Sequence, residues 1–145
     1  MSPRSAAGPL GGLNAVIADE DPVVVGQILS TLRHAGFRAF HAYDGRSAVE
    51  LALALKDIHL LISNTRIADF PGVELIHTVR AERPQLPVIY LANIGRSTPE
   101  IEAQLPTGVP ILREPFSAND LLALVHRLIP DHADRRHNDE DGKGY

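Results

Sequence analysis

The chain has 145 residues, 44% of them hydrophobic and 22% charged, the proportions of one ordinary globular domain, which excludes global disorder. It contains no cysteine, so disulfide frameworks, thiolate zinc sites and cysteine nucleophiles are excluded. A formal net charge of −4 offers no positive field to nucleic acid or to an anionic membrane.

No apolar run approaches the length of a membrane span, and the N-terminus lacks the apolar region of a signal peptide. Residues 1–12, with Gly8-Pro9-Leu10-Gly11-Gly12, read as a flexible leader. Residues 131–145 carry no aliphatic side chain larger than alanine and read as a polar flexible tail. The domain proper is expected over 13–130, without an internal repeat, linker or attached output module.

Ala15-Val16-Ile17-Ala18 is a short apolar run, a strand, that stops at the acids Asp19-Glu20-Asp21. Asp21-Pro22 opens a helix, an N-cap acceptor followed by proline at the first helical position. Val24, Ile28, Leu32 and Ala35 recur at helical spacing until Gly36. A second strand is expected over Phe37 to Ala42, and Asp44 caps a helix to about Leu55 with Val49 and Leu53 inward. His59-Leu60-Leu61-Ile62-Ser63-Asn64 is a buried strand with a polar end. Gly72 precedes a third helix carrying Val73, Ile76 and Val79. Pro87 to Ala92 is a fourth strand, and Thr98-Pro99 opens a helix of about two turns that Pro106 stops. Ile111-Leu112 is a fifth strand, and Ser117-x-x-Asp120 is a capping box opening a last helix through Ile129.

Five strands, each followed by a helix, predict an α/β fold: a parallel sheet with helices on both faces. Right-handed crossovers favour a flavodoxin-like doubly wound sheet of order 2-1-3-4-5. In such sheets the functional crevice lies at the carboxyl ends of the strands, where Asp19, Glu20, Asn64, Ala92 and Glu114 all fall.

This layout resembles the receiver domain of two-component response regulators over essentially all of residues 13–130. Ala18-Asp19-Glu20-Asp21-Pro22 resembles the acidic pair after the family's first strand. Leu60 to Gly72 has the length and the glycine of the segment around its phospho-accepting aspartate. Leu91-Ala92-Asn93 and Leu112-Arg113-Glu114-Pro115-Phe116 occupy its hydroxyl and Lys-Pro positions without gaps.

The resemblance makes the departures chemical. The acceptor position is Asn64, an amide; the hydroxyl position is Ala92; the lysine position is Glu114; and the aromatic switch position is Ile111. The two lysines, Lys56 and Lys143, fall elsewhere. The acidic pair survives as Asp19 and Glu20. By resemblance the chain is a degenerate pseudo-receiver.

The cofactor expectation is none, or weak Mg2+ held by Asp19, Glu20, Asn64 and the Arg66 backbone carbonyl, a set poorer in charge than three acids. Glu114 is open to pairing with Arg66 or Arg113. His59, His77 and His126 read as surface or packing residues. His132 and His137, with Asp131, Asp134 and Asp139, make at most an adventitious metal site. The arginines are scattered rather than striped. No glycine-rich phosphate loop and no nucleophile elbow are present, Ser63 being mid-strand.

The expected function is a stand-alone, non-enzymatic signalling domain, not phosphorylatable and acting by protein–protein contact. By resemblance it belongs to two-component (phosphorelay) signalling in a bacterial cytoplasm, with a histidine kinase, another response regulator or an effector as partner. No nucleic acid or membrane partner is expected. A homodimer through the fourth helix, fifth strand and fifth helix is the family's pairing, altered here by the short segment between Pro99 and Pro106. The alternative is a receiver with residual or remodelled phosphate or ligand binding. A flavodoxin-like nucleotide binder is a third reading, without a phosphate loop to support it.

Overall fold

The computed structural model describes residues 11–130. The expected tail with His132 and His137, and the expected leader apart from Gly11 and Gly12, lie outside the described residues.

Five strands form one parallel sheet: β1 (Asn14–Ala18), β2 (Arg38–Ala42), β3 (Ile58–Asn64), β6 (Val88–Ala92) and β7 (Ile111–Arg113). Their order is β2-β1-β3-β6-β7, which is 2-1-3-4-5 counted along the sheet strands alone. The remaining two, β4 (Arg66–Ile67) and β5 (Phe70–Pro71), form a small antiparallel ribbon beyond the end of β3. Two-residue strands carry no periodicity, so this ribbon has no signature in the sequence.

Helices α1 (Pro22–His34) and α5 (Ala118–Leu128) cover one face, and α2 (Gly45–Ala54) and α3 (Gly72–Glu82) the other. The alternation of side chains along each strand divides the core accordingly. Ala15, Ile17, Leu60, Ile62 and Ile89 pack with Val25, Ile28, Leu32, Leu121 and Val125. Val16, Ala18, Leu61, Val88 and Tyr90 pack with Ala48, Ala52, Leu75, Ile76 and Val79. With both faces covered, β1 and β6 are buried at every position, which explains why Ala15 to Ala18 and most of β6 are apolar.

The helix starts follow the expected capping chemistry. Asp21 accepts from the Val23 N–H at 2.9 Å, and Asp44 from the Ser47 N–H at 2.8 Å. Ser117 and Asp120 close a reciprocal capping box at 3.0 Å in both directions.

Three local expectations are corrected. The buried face of α2 is Gly45, Ala48 and Ala52, with Val49 and Leu53 only partly buried, because the helix lies too close to the sheet for larger side chains. The buried positions of α1 begin at Val25, with Val24 partly buried beside it. The segment after Thr98 forms a single helical turn, α4 (Pro99–Glu102), followed by turns rather than a second helical turn.

Candidate functional site

The polar residues Asp19, Ser63, Asn64 and Thr65 are buried together where β1 and β3 end. Asp19 is fully enclosed, and its backbone is fixed on two sides. Its N–H donates to the Ala42 carbonyl at 3.2 Å, and its own carbonyl meets His41 Nε2 at 2.9 Å. Its carboxylate accepts from the Asp21 N–H through Oδ1 and from Asn64 Nδ2 through Oδ2, both at 2.9 Å. Burial pushes the Asp19 carboxyl above its ordinary range, and these two hydrogen bonds oppose the shift.

Asn64 closes the other half of the pair. Its Oδ1 accepts from the Thr65 N–H at 2.6 Å, which fixes the amide's orientation because a backbone N–H can only donate. The amide therefore presents its NH2 to Asp19 and turns its oxygen back upon its own strand. Gly72 makes this corner possible: a Cβ there would overlap the Asn64 carbonyl oxygen and come within 3.0 Å of Ser63 Oγ.

Glu20 turns away from Asp19. It accepts from the Ala68 N–H of the β4–β5 turn at 3.1 Å and stands 3.6 Å from Arg96. Arg66 lies on β4 in register with Pro71, its side chain exposed.

Magnesium is the metal that the fold family implies, and the donors it would need are partly committed here, Glu114 Oε2 being, among the described residues, the one buried carboxylate oxygen without a hydrogen-bond partner. Both Asp19 oxygens and the Asn64 oxygen are already held by N–H donors, and Glu20 is drawn to Ala68 and Arg96. Hard-cation coordination needs several oxygens free to converge. No group of three or more His, Cys, Asp or Glu residues able to hold a metal occurs among the described residues.

Ala92 ends β6 and is buried, its carbonyl accepting the Glu114 N–H at 3.1 Å. Among the described residues the Glu114 side chain reaches only Asn93 Nδ2, at 3.4 Å through Oε1, and its buried Oε2 has no hydrogen-bond partner. Burial, then Asp19 and Asp21, push its carboxyl upward. The expected pairing with Arg66 or Arg113 is not formed. Arg113 instead grips Glu102 with its two terminal guanidinium nitrogens, at 2.8 and 3.0 Å, and Glu102 is held below the ordinary carboxylate range chiefly by that contact.

Ile111 is half-buried and pairs in register with Tyr90 on β6. The polar residues around this strand pair had no place in the sequence reading. Thr65 Oγ1 donates to the Leu91 carbonyl at 2.8 Å and accepts from the Asn93 N–H at 2.9 Å. Tyr90 is wholly buried, with its hydroxyl 2.8 Å from Ser97 Oγ. The only signal in the sequence was a tyrosine inside an otherwise apolar strand, which needs a partner for its hydroxyl. Of the histidines, His59 Nδ1 accepts from the Asn14 N–H at 3.0 Å, and His77 Nε2 lies 2.6 Å from the Gln104 carbonyl.

Comparison with known proteins matches the family and the fold. The family model described as the response regulator receiver domain matches residues 15–126. The probable transcriptional regulatory protein TcrX of Mycobacterium tuberculosis is 24% identical over 117 residues, covering 81% of this chain and 50% of that protein. The response regulator protein FleR of Pseudomonas aeruginosa is 30% identical over 112 residues, covering 77% of this chain and 24% of FleR. The chain thus spans half the length of one of these relatives and about a quarter of the other. Among solved structures, a response regulator receiver protein from Sinorhizobium medicae superposes with a TM-score of 0.73 at 23% identity, covering 80% of this chain and 93% of that one. The Vibrio cholerae chemotaxis protein CheY4 superposes with a TM-score of 0.72 at 22% identity, covering 81% and 98%.

Proposed function

The chain belongs to the response regulator receiver domain family, and from that premise we propose that it is a receiver that does not accept phosphate and signals by contact with another protein. The observation that carries this reading is the Asn64 side chain, with its amide bound to Asp19 and its oxygen bound to the Thr65 N–H. Attack on phosphorus needs a nucleophilic oxygen, and an amide oxygen already accepting a hydrogen bond is a poor one. Ala92 offers no hydroxyl to a phosphoryl oxygen. Glu114 adds negative charge where the family's lysine would neutralise it.

Partners in this reading are proteins: a histidine kinase, another response regulator or an effector. The formal charge of −4 argues against nucleic acid as a direct ligand of this domain. No helix among the described residues is long and apolar enough to cross a membrane.

The test is incubation with acetyl phosphate and magnesium followed by intact-mass measurement. An unchanged mass is expected. A stable gain of one phosphoryl group on a crevice residue would overturn the proposal and favour a remodelled phosphate-accepting site.

A further inference from the structure

Ala92 and Ile111 stand where the family resemblance places a hydroxyl and an aromatic ring, and in both cases a neighbouring residue carries the group. The hydroxyl belongs to Thr65. From the end of β3 it spans Ala92, bonding the carbonyl of Leu91 on one side and the N–H of Asn93 on the other. The ring belongs to Tyr90, the register partner of Ile111.

The Tyr90 hydroxyl begins a directed chain. Ser97 Oγ donates its one proton to Glu102 Oε2 at 2.7 Å, so the Tyr90 O–H must donate to Ser97. Glu102 receives the Arg113 fork on its two oxygens, which ties α4 back to β7. The carboxylate end of this chain is charge-assisted, and its buried end lies in a fully enclosed side chain. On its other flank, the same segment meets α3 through His77 and the Gln104 carbonyl.

We propose that Thr65 and Tyr90 form a two-point clamp holding residues 93–105 in one conformation. The surface that includes α4 is then presented unchanged, whatever occupies the crevice. Thr65 fixes the start of the segment and Tyr90 its far half. Both are positioning residues, acting through Asn93 and through Ser97 and Glu102. The clamp deepens the non-phosphorylated reading, and rests on it for its signalling meaning.

Amide hydrogen exchange of the full chain tests it, in Thr65→Val and Tyr90→Phe. In Thr65→Val the Asn93 amide should exchange about tenfold faster, the loss expected for one hydrogen bond. In Tyr90→Phe the amides of Glu102, Ala103 and Leu105 should exchange faster by a similar factor, with Asn93 unchanged. Core amides of β1 and β3 should keep their parent rates after correction for global stability. Rates within twofold of the parent across 93–105 in both variants would overturn the clamp. So would a uniform acceleration that includes β1 and β3, which is the mark of a merely structural role. Ser97→Ala, which cuts the Tyr90 chain outside the core, should reproduce the Tyr90→Phe pattern, and covers a failure of that variant to fold. Acetyl phosphate treatment of the parent chain keeps the two readings apart: a phosphoryl gain there with 93–105 protection unchanged refutes the first and leaves the clamp standing.

Discussion

Asn64 Nδ2 donates to Asp19 Oδ2 over 2.9 Å inside the protein, so a neutral amide serves as the partner of a buried carboxylate. An aspartate at residue 64 would set two carboxylates against each other in the same space. The pair is therefore self-sufficient in a way that two acids could not be without a cation or a proton.

Asn64→Asp should accordingly cost about 2–3 kcal/mol of stability at neutral pH, the penalty of a broken buried hydrogen bond together with like-charge repulsion. Urea denaturation checks this. The deficit should shrink on acidification and on addition of millimolar magnesium, and a variant as stable as the parent at neutral pH in chelator contradicts the account.

Restoring the acceptor alone should not restore a switch. The phosphoryl group adds roughly −1.5 to −2 charges and needs a cation and a hydroxyl beside it. With Glu114 and Ala92 retained, phosphoprotein yield or lifetime in Asn64→Asp should fall about tenfold or more below that of Asn64→Asp/Ala92→Thr/Glu114→Lys. Equal yield and lifetime in the two proteins would make Glu114 and Ala92 bystanders.

Magnesium should bind the parent chain in the millimolar range or more weakly, on the order of −4 kcal/mol or less favourable. Titration followed by the amide shifts of Asp19, Glu20 and Asn64 measures it. Micromolar binding centred on those residues would show that the hydrogen bonds around Asp19 yield readily to a cation.

Glu114→Gln should raise the thermal midpoint at pH 7 and leave it unchanged near pH 4. Burial, Asp19 and Asp21 push the Glu114 carboxyl upward in the folded chain. The folded state then holds the proton to higher pH than the unfolded state, so the native carboxyl costs stability as pH rises through its raised value. Below the ordinary glutamate range, near 4.3, both states are protonated and the difference closes. A gain that is equal at both pH values would assign the effect to packing instead.

Ala68 has a φ of 55°, in the left-handed region, at the first position of the two-residue turn between β4 and β5. Glycine is favoured at that place, and an alanine there costs about 1–2 kcal/mol. Ala68→Gly should stabilise the chain by about 0.5–1 kcal/mol after the added entropy of the unfolded glycine. Chemical denaturation decides it, and a loss of stability would contradict the strain argument.

The fold was legible because its signals are local. Asp21-Pro22, the spacing of Ile28 and Leu32, and the Ser117–Asp120 box each declare an element within a few residues. The succession of strand and helix then gave a parallel sheet covered on both faces. The crevice was legible only as a set of positions. Which way Asn64 turns its amide depends on the Thr65 N–H, and where Arg113 points depends on Glu102, eleven residues back and on another element. The roles of Thr65 and Tyr90 are tertiary, set by backbone groups and side chains that meet only after the strands pair. The alanine face of α2 misled for a related reason: helical spacing marks apolar positions but not how near the sheet will come.

Phe70 rests its ring on the α-carbon of Gly45, and any β-carbon at that glycine would overlap it. The ring belongs to the ribbon whose turn also holds Glu20 through the Ala68 N–H. Positions 45 and 70 thus limit one another's size. A side chain gained at the first calls for a smaller one at the second, an exchange that acts on the ribbon beneath Glu20 without changing a single polar group of the crevice.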